Sequence, residues 1–81
     1  MTTCQISYLP LGSQDAYEEV DQATDIISRF DLETEVHDMS TTVKGDFEEI
    51  LKMIDSLYRE MENGQKQFRL DIDLLNSKAY S

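Results

Sequence analysis

The chain has one cysteine, one histidine, one proline and no tryptophan among its 81 residues. Cys4 has no partner for an internal disulfide. Cys4 and His37 together fall short of a zinc site, which takes four protein ligands or three plus an open position. The three glycines, Gly12, Gly45 and Gly64, show no phosphate-loop or dinucleotide spacing around them, so they read as punctuation. Basic residues are also scarce: 7 Lys and Arg stand against 17 Asp and Glu, a formal net charge of −10. Such a surface repels phosphate backbones and anionic headgroups, so neither nucleic acid nor membrane is an expected partner. No apolar run approaches the ~20 residues of a membrane span. The start Met1-Thr2-Thr3-Cys4 carries neither the basic region nor the apolar stretch of a signal peptide, which sets the expectation of a cytoplasmic, reducing location.

What is present is an ordinary globular balance, 40% hydrophobic and 30% charged residues, in a length that suits one domain over 1–81. A domain this small buries only about 60% of its unfolded surface, and disulfides, metals or partner subunits commonly make up the deficit. With the first two excluded, self-association is the expected route.

Hydrophobic spacing predicts the order β-α-β-β-α-β. Residues 3–9 alternate, with Cys4, Ile6 and Tyr8 on one face, until Pro10-Leu11-Gly12 ends the strand. Ser13 or Asp15 caps a helix over 14–30 whose inner face is Ala16, Val20, Ala23, Ile27 and Phe30, with Glu18, Glu19, Gln22 and Asp25 solvated. Strands over 33–38 and 41–45 flank a turn at Met39-Ser40. Asp46 and Glu49 make a capping-box pattern for a helix over 46–63 with the stripe Phe47, Ile50, Leu51, Ile54, Leu57, Tyr58 and Met61. Asn63-Gly64 reads as its left-handed stop, a last strand covers 67–73, and 74–81 is left as a mobile tail.

Two β-α-β crossovers sharing a hairpin make an α+β, ferredoxin-like domain: a four-stranded antiparallel sheet with two helices on one face. The helices cover Ile6, Tyr8, Val36, Val43, Phe68, Leu70 and Ile72. The other face, with Gln5, Ser7, Leu9, Glu35, His37, Met39, Thr42, Lys44, Arg69, Asp71 and Asp73, has no element left to cover it, which suits contact with a second sheet or with a ligand. Catalytic templates find little to use. His37 is the only histidine to serve as a base for a nucleophile, and Cys4 lies on the core face, where a small buried thiol is inert. Asp71 and Asp73 share a face and could act as an acid-base pair or hold a cation, although a salt-bridged strand surface explains them as well. No enzymatic activity, metal or cofactor is therefore expected.

Three segments carry a family resemblance. Ile6-Ser7-Tyr8-Leu9-Pro10-Leu11-Gly12 resembles the first strand and Pro-Leu-Gly turn of the small thiamine-binding protein family. The run from His37 through Met39-Ser40-Thr41-Thr42-Val43-Lys44-Gly45-Asp46 to Phe47 is similar to that family's hairpin and helix start, and Arg69-Leu70-Asp71 resembles its last strand. The resemblance implies a non-catalytic homo-oligomer, dimers paired into tetramers through sheet faces, that binds thiamine or its hydroxymethylpyrimidine portion. Two positions depart from the family pattern: Asp38 stands where Pro is frequent, and Ser40 where Gly is usual.

An aminopyrimidine offers an amine donor and ring-nitrogen acceptors on a flat apolar body, so its pocket needs hydroxyls or carboxylates beside aliphatic walls. The expected ligand site combines hydroxyls of Ser7, Ser40, Thr41 and Thr42, walls from Leu9, Pro10 and Met39, and the polar groups of His37 and Asp71. Ser7 and Thr41 are expected to bond the pyrimidine where the end of the first strand meets the hairpin. His37 equally suits pairing with Glu35 or with a carboxylate of a facing subunit. A second reading, a structural or regulatory oligomerisation module with no small ligand, is also open to these residues. A small isomerase or degradative enzyme would need a His, Arg or carboxylate cluster that the sequence does not assemble.

Overall fold

The structure is a computed structural model that describes residues 1–76. It runs β1 (Thr2–Pro10), α1 (Ala16–Ser28), β2 (Glu33–Val36), β3 (Thr41–Gly45), α2 (Phe47–Asn63) and β4 (Phe68–Asn76). The four strands form one antiparallel sheet in the order β2-β3-β1-β4, the ferredoxin-like arrangement. Register fixes the faces. Cys4 lies opposite Val43 and Leu74, Ile6 opposite Thr41 and Ile72, and Tyr8 opposite Leu70, all on the side the helices cover. Gln5 lies opposite Thr42 and Asp73, and Ser7 opposite Asp71, on the open side.

Among the described residues ten apolar ones close the core: Cys4, Ile6 and Val43 from the sheet, Ala23, Ile26 and Ile27 from α1, and Ile50, Met53, Leu57 and Met61 from α2. The helix stripes are narrower and rotated from the expected ones. Phe47, Leu51 and Tyr58 remain about half exposed, while Met53 and Ile26 are buried instead. Two layers give each helix one line of contact with the sheet, so flanking apolar positions stay at the edge. Val36 is likewise 58% exposed, because β2 is the outer strand and extends past the cover of α1.

Several local expectations are corrected. Asp15 does cap α1, its Oδ1 accepting from the Glu18 amide at 3.0 Å, but the helix begins at Ala16 and ends at Ser28. Asp46 makes no side-chain cap bond, and Glu49 turns away to accept from the Asp31 amide at 3.4 Å, so the capping box does not form. Gly64 ends α2 with φ −77°, and it is Gln65 that takes the left-handed conformation, φ 59°. The chain needs one left-handed residue to turn back toward β4, and the Lys66 amide reaches the Met61 carbonyl at 3.2 Å only with that residue one place later. β2 stops at Val36, since the His37 amide bonds across to the Ser40 carbonyl at 2.8 Å and draws His37 and Asp38 into the turn.

β4 also runs beyond its expected end. Leu74, Leu75 and Asn76, assigned from sequence to a mobile tail, pair with Cys4, Thr3 and Thr2, because the long β1 leaves backbone groups there that need partners. Residues 77–81, the rest of that expected tail, lie outside the described residues.

Candidate functional site

The hairpin turn of residues 37–40 stands at the end of β3 and beside the end of β1, and α1 passes over both. Between them is a cavity of about 220 Å³. Its floor is Ile6 and Tyr8, its roof Val20, Ala23, Thr24 and Ile27 of α1, and its rim the end of β1 at Leu9 and the segment from Val36 to Thr41. The walls are mostly aliphatic. Polar groups come from Thr24, Thr41 and the turn, the mixture a small heterocycle requires.

Thr41 is 7% exposed and points toward the helices, opposite Ile6. No fully enclosed polar side-chain atom among the described residues lacks a partner, so the Thr41 hydroxyl, which bonds to no other side chain there, opens onto the cavity. Thr24 spends its proton on the Val20 carbonyl at 3.0 Å and keeps acceptor capacity. The Ser40 hydroxyl accepts from Gln5 Nε2 at 3.1 Å, which ties the turn to β1. Met39 is 85% exposed at the tip of the turn.

Of the nine residues expected at the site, Leu9, His37, Met39, Ser40 and Thr41 line this cavity, and Ser7, Pro10, Thr42 and Asp71 do not. Ser7, Thr42 and Asp71 project from the opposite face of the sheet. The period of two in a strand makes the correction unavoidable: Ile6 and Thr41 are cross-strand partners facing the helices, so Ser7 and Thr42 face away. Ser7 and Thr41 therefore cannot grip one ligand together. Asp71 is held by Arg69 Nε at 2.9 Å and Asp73 lies across from Gln5, a charge-paired surface. No group of three or more His, Cys, Asp or Glu among the described residues is arranged to hold a metal ion.

Sequence reasoning missed the whole contribution of α1. It also placed Glu19 in solvent, whereas Glu19 is 3% exposed and accepts a 2.5 Å hydrogen bond from the Tyr8 hydroxyl. Burial and the adjacent Glu19 carboxylate push the Tyr8 phenol well above its ordinary range. The one available signal was Tyr8 itself, a phenol on a core face that must find a polar partner under a helix. A second, wider groove of about 480 Å³ is bordered by Leu51, Ile54, Asp55, Tyr58, Arg59 and Glu62, all from α2, and so is the surface of one helix rather than an enclosure.

The sequence profile described as thiamine-binding protein matches residues 4–77. The chain belongs to the thiamine-binding protein family. A crystal structure of a Thermotoga maritima protein, named for a proposed part in thiamine biosynthesis or salvage, is 34% identical, with a TM-score of 0.85 over 99% of this chain and 86% of that one. A hypothetical protein of Methanocaldococcus jannascii at 24% identity has a TM-score of 0.84 over 95% of this chain and 80% of that one. A Bacillus cereus domain of unknown function at 21% identity has a TM-score of 0.80 over 93% and 74%. These last two share the fold. No curated protein matches the chain in sequence. The cavity's rim and Thr41 fall within the matched residues 4–77. No helix among the described residues is long and apolar enough to cross a membrane.

Proposed function

We propose that this protein binds thiamine, or its hydroxymethylpyrimidine portion, in the cavity between α1 and the β2–β3 hairpin, and does so as a non-catalytic homo-oligomer. The observation that carries the reading is the cavity itself: mostly aliphatic walls, with Thr24 and Thr41 among its lining residues, in a chain matched to the thiamine-binding protein family over residues 4–77. At about 220 Å³ it is smaller than the roughly 300–1,000 Å³ that encloses drug-sized ligands. One substituted ring fits, and the rest of a longer molecule projects past the exposed Met39. The thiamine biosynthesis or salvage role proposed for the Thermotoga relative supports the same ligand class for this chain. The net charge of −10 favours a cationic thiazolium at the mouth, within the ~8 Å over which charge acts at physiological salt. A cytoplasmic setting suits the free, buried thiol of Cys4.

Calorimetric titration with thiamine and with hydroxymethylpyrimidine tests the reading: saturable binding of either supports it, and binding of neither leaves the oligomerisation module in its place. Self-association follows from the open sheet face, where Leu9 and Leu75 are 39% and 53% exposed among Lys44, Arg69, Asp71 and Asp73. Light scattering at micromolar concentration is expected to show a dimer or tetramer, and a monomer would remove that part of the proposal.

A further inference from the structure

On the other flank of α1 the β1–α1 loop and the α2–β4 loop stand together, fixed by the Leu11 amide donating to the Gln67 carbonyl at 2.9 Å. Two adjoining hollows of about 290 and 380 Å³ open between these loops and the first turns of α1, and both are bordered by Ser13, Gln14, Glu19 and Lys66. Glu19 is the buried member of that set, 3% exposed. Its Oε2 accepts from the Tyr8 hydroxyl, and Tyr8 is held in turn by stacking on Phe68 with ring centroids 5.2 Å apart. Its Oε1 meets no donor among the described residues. No fully enclosed polar side-chain atom there lacks a partner, so Oε1 reaches the surface, where Glu19 borders the two hollows. A carboxylate has about four acceptor positions, and leaving them unfilled in a group this buried is costly. An oxygen so placed suits an N–H donor, best one that carries positive charge.

Lys66 supplies the opposite sign. Arg29, Lys52, Arg59 and Arg69 each pair with a carboxylate, whereas Lys66 makes no ion pair among the described residues, with Glu19 or with any other. Joining the two directly would gain little, since an exposed lysine gives up rotamer freedom for a contact that water screens. Of the other acids at the hollows, Asp15 accepts from the Glu18 amide at 3.0 Å and Glu18 is exposed to solvent. A bare amine would satisfy Glu19 and be repelled by Lys66. A bare carboxylate would suit Lys66 and be repelled by Glu19 and by the net charge of −10. A molecule carrying both charges a few atoms apart meets both. We infer that the hollows form a second binding site, for a small zwitterion of the α-amino acid type, with its ammonium donating to Glu19 Oε1 and its carboxylate facing Lys66 Nζ. The inference stands apart from the ligand proposed above, since no residue lines both the hollows and the cavity.

Calorimetric titration of the full chain with L-serine, and with its one-charge relatives ethanolamine and N-acetyl-L-serine, tests the site. Wild type is expected to bind serine saturably and each relative about tenfold more weakly, the scale of one charge-assisted hydrogen bond lost. Lys66 is exposed and in no ion pair, so Lys66→Met should fold as wild type does, which circular dichroism verifies. It is expected to bring serine and ethanolamine to within about threefold of each other. Glu19→Gln is expected to weaken serine by about tenfold, and should that chain not fold, the ligand series and Lys66→Met still decide. Equal affinity of wild type for serine and ethanolamine, a ratio unchanged by Lys66→Met, or serine binding unchanged in a folded Glu19→Gln chain each overturns the inference. Wild type that binds no serine up to about 10 mM overturns it as well and leaves Glu19 as a structural tie to Tyr8. None of these results bears on the titration with thiamine, so this inference and the proposed function fail separately.

Discussion

Thr41 and Thr42 are neighbours in β3 with opposite outlooks, which makes them a paired test of where the ligand sits. Thr41 faces the helices opposite Ile6, 7% exposed, and lines the cavity, whereas Thr42 faces the open side opposite Gln5. Thr41→Val keeps the branched shape and removes only a hydroxyl that bonds to no other side chain among the described residues. Its effect on stability is therefore expected to be small, within about 0.5 kcal/mol. Loss of one neutral hydrogen bond to ligand costs about 0.5–1.5 kcal/mol, a rise in Kd of roughly 2- to 13-fold, and more if a buried ligand group is left unpaired. Thr42→Val and Ser7→Ala, on the far side of the sheet, are expected to leave Kd unchanged. Titration of thiamine and hydroxymethylpyrimidine against the three variants, with thermal melts alongside, reads both quantities. If Thr42→Val or Ser7→Ala weakens binding while Thr41→Val does not, the ligand lies on the open sheet face and the cavity argument is refuted.

Leu57 is fully buried and Ile54 only partly, so Leu57→Ala is expected to cost roughly 2–5 kcal/mol in denaturant melts and Ile54→Ala roughly 1–2 kcal/mol; the reverse order would mean that α2 presents a different face to the sheet. Gln65 occupies the left-handed position after α2, and Gln65→Gly should raise stability by about 0.5–1 kcal/mol, while Gly64→Ala at its ordinary φ should not be strained. Burial, with Asp73 nearby, pushes the Cys4 thiol up to about 11 from an ordinary 9.0. The unfolded thiol ionises first, so this contribution is complete below pH 9 and is lost as pH rises toward 11, a total of roughly 2–3 kcal/mol. Cys4→Ala should flatten that part of the alkaline limb, and an unchanged pH profile would show that the thiol is not buried in the folded state.

Much of the fold was legible because its signals are local and periodic. Alternation in Cys4-Gln5-Ile6-Ser7-Tyr8 and the stripe through Ile50, Leu57 and Met61 specify a strand and a helix without reference to anything distant. Ends were less legible. Whether Glu49 reaches back to its own helix or out to the Asp31 amide, and whether Gly64 or Gln65 takes the left-handed turn, is settled by where the next element must go. The neighbourhood of Leu9, His37, Met39, Ser40 and Thr41 was legible, since the structure brings all five around one cavity. What was not legible is that Ser7, Thr42 and Asp71 lie across the sheet from that cavity.

By itself the sequence determined the element order, the scarcity of metal-binding and nucleophilic groups, the acidic surface, and the family to which the hairpin segment belongs. These depend on composition and on spacings of a few residues, within which 3.6- and 2-residue periods are unambiguous. Tertiary structure alone decided that α1 roofs the cavity, that Glu19 is drawn inward to the Tyr8 hydroxyl, and that Thr41 lies across from Ile6. The physical reason is register. Pairing β1 with β3 so that Ile6 lies across from Thr41 beneath α1 joins side chains far apart in the chain, and no local pattern states which distant residues will be partners.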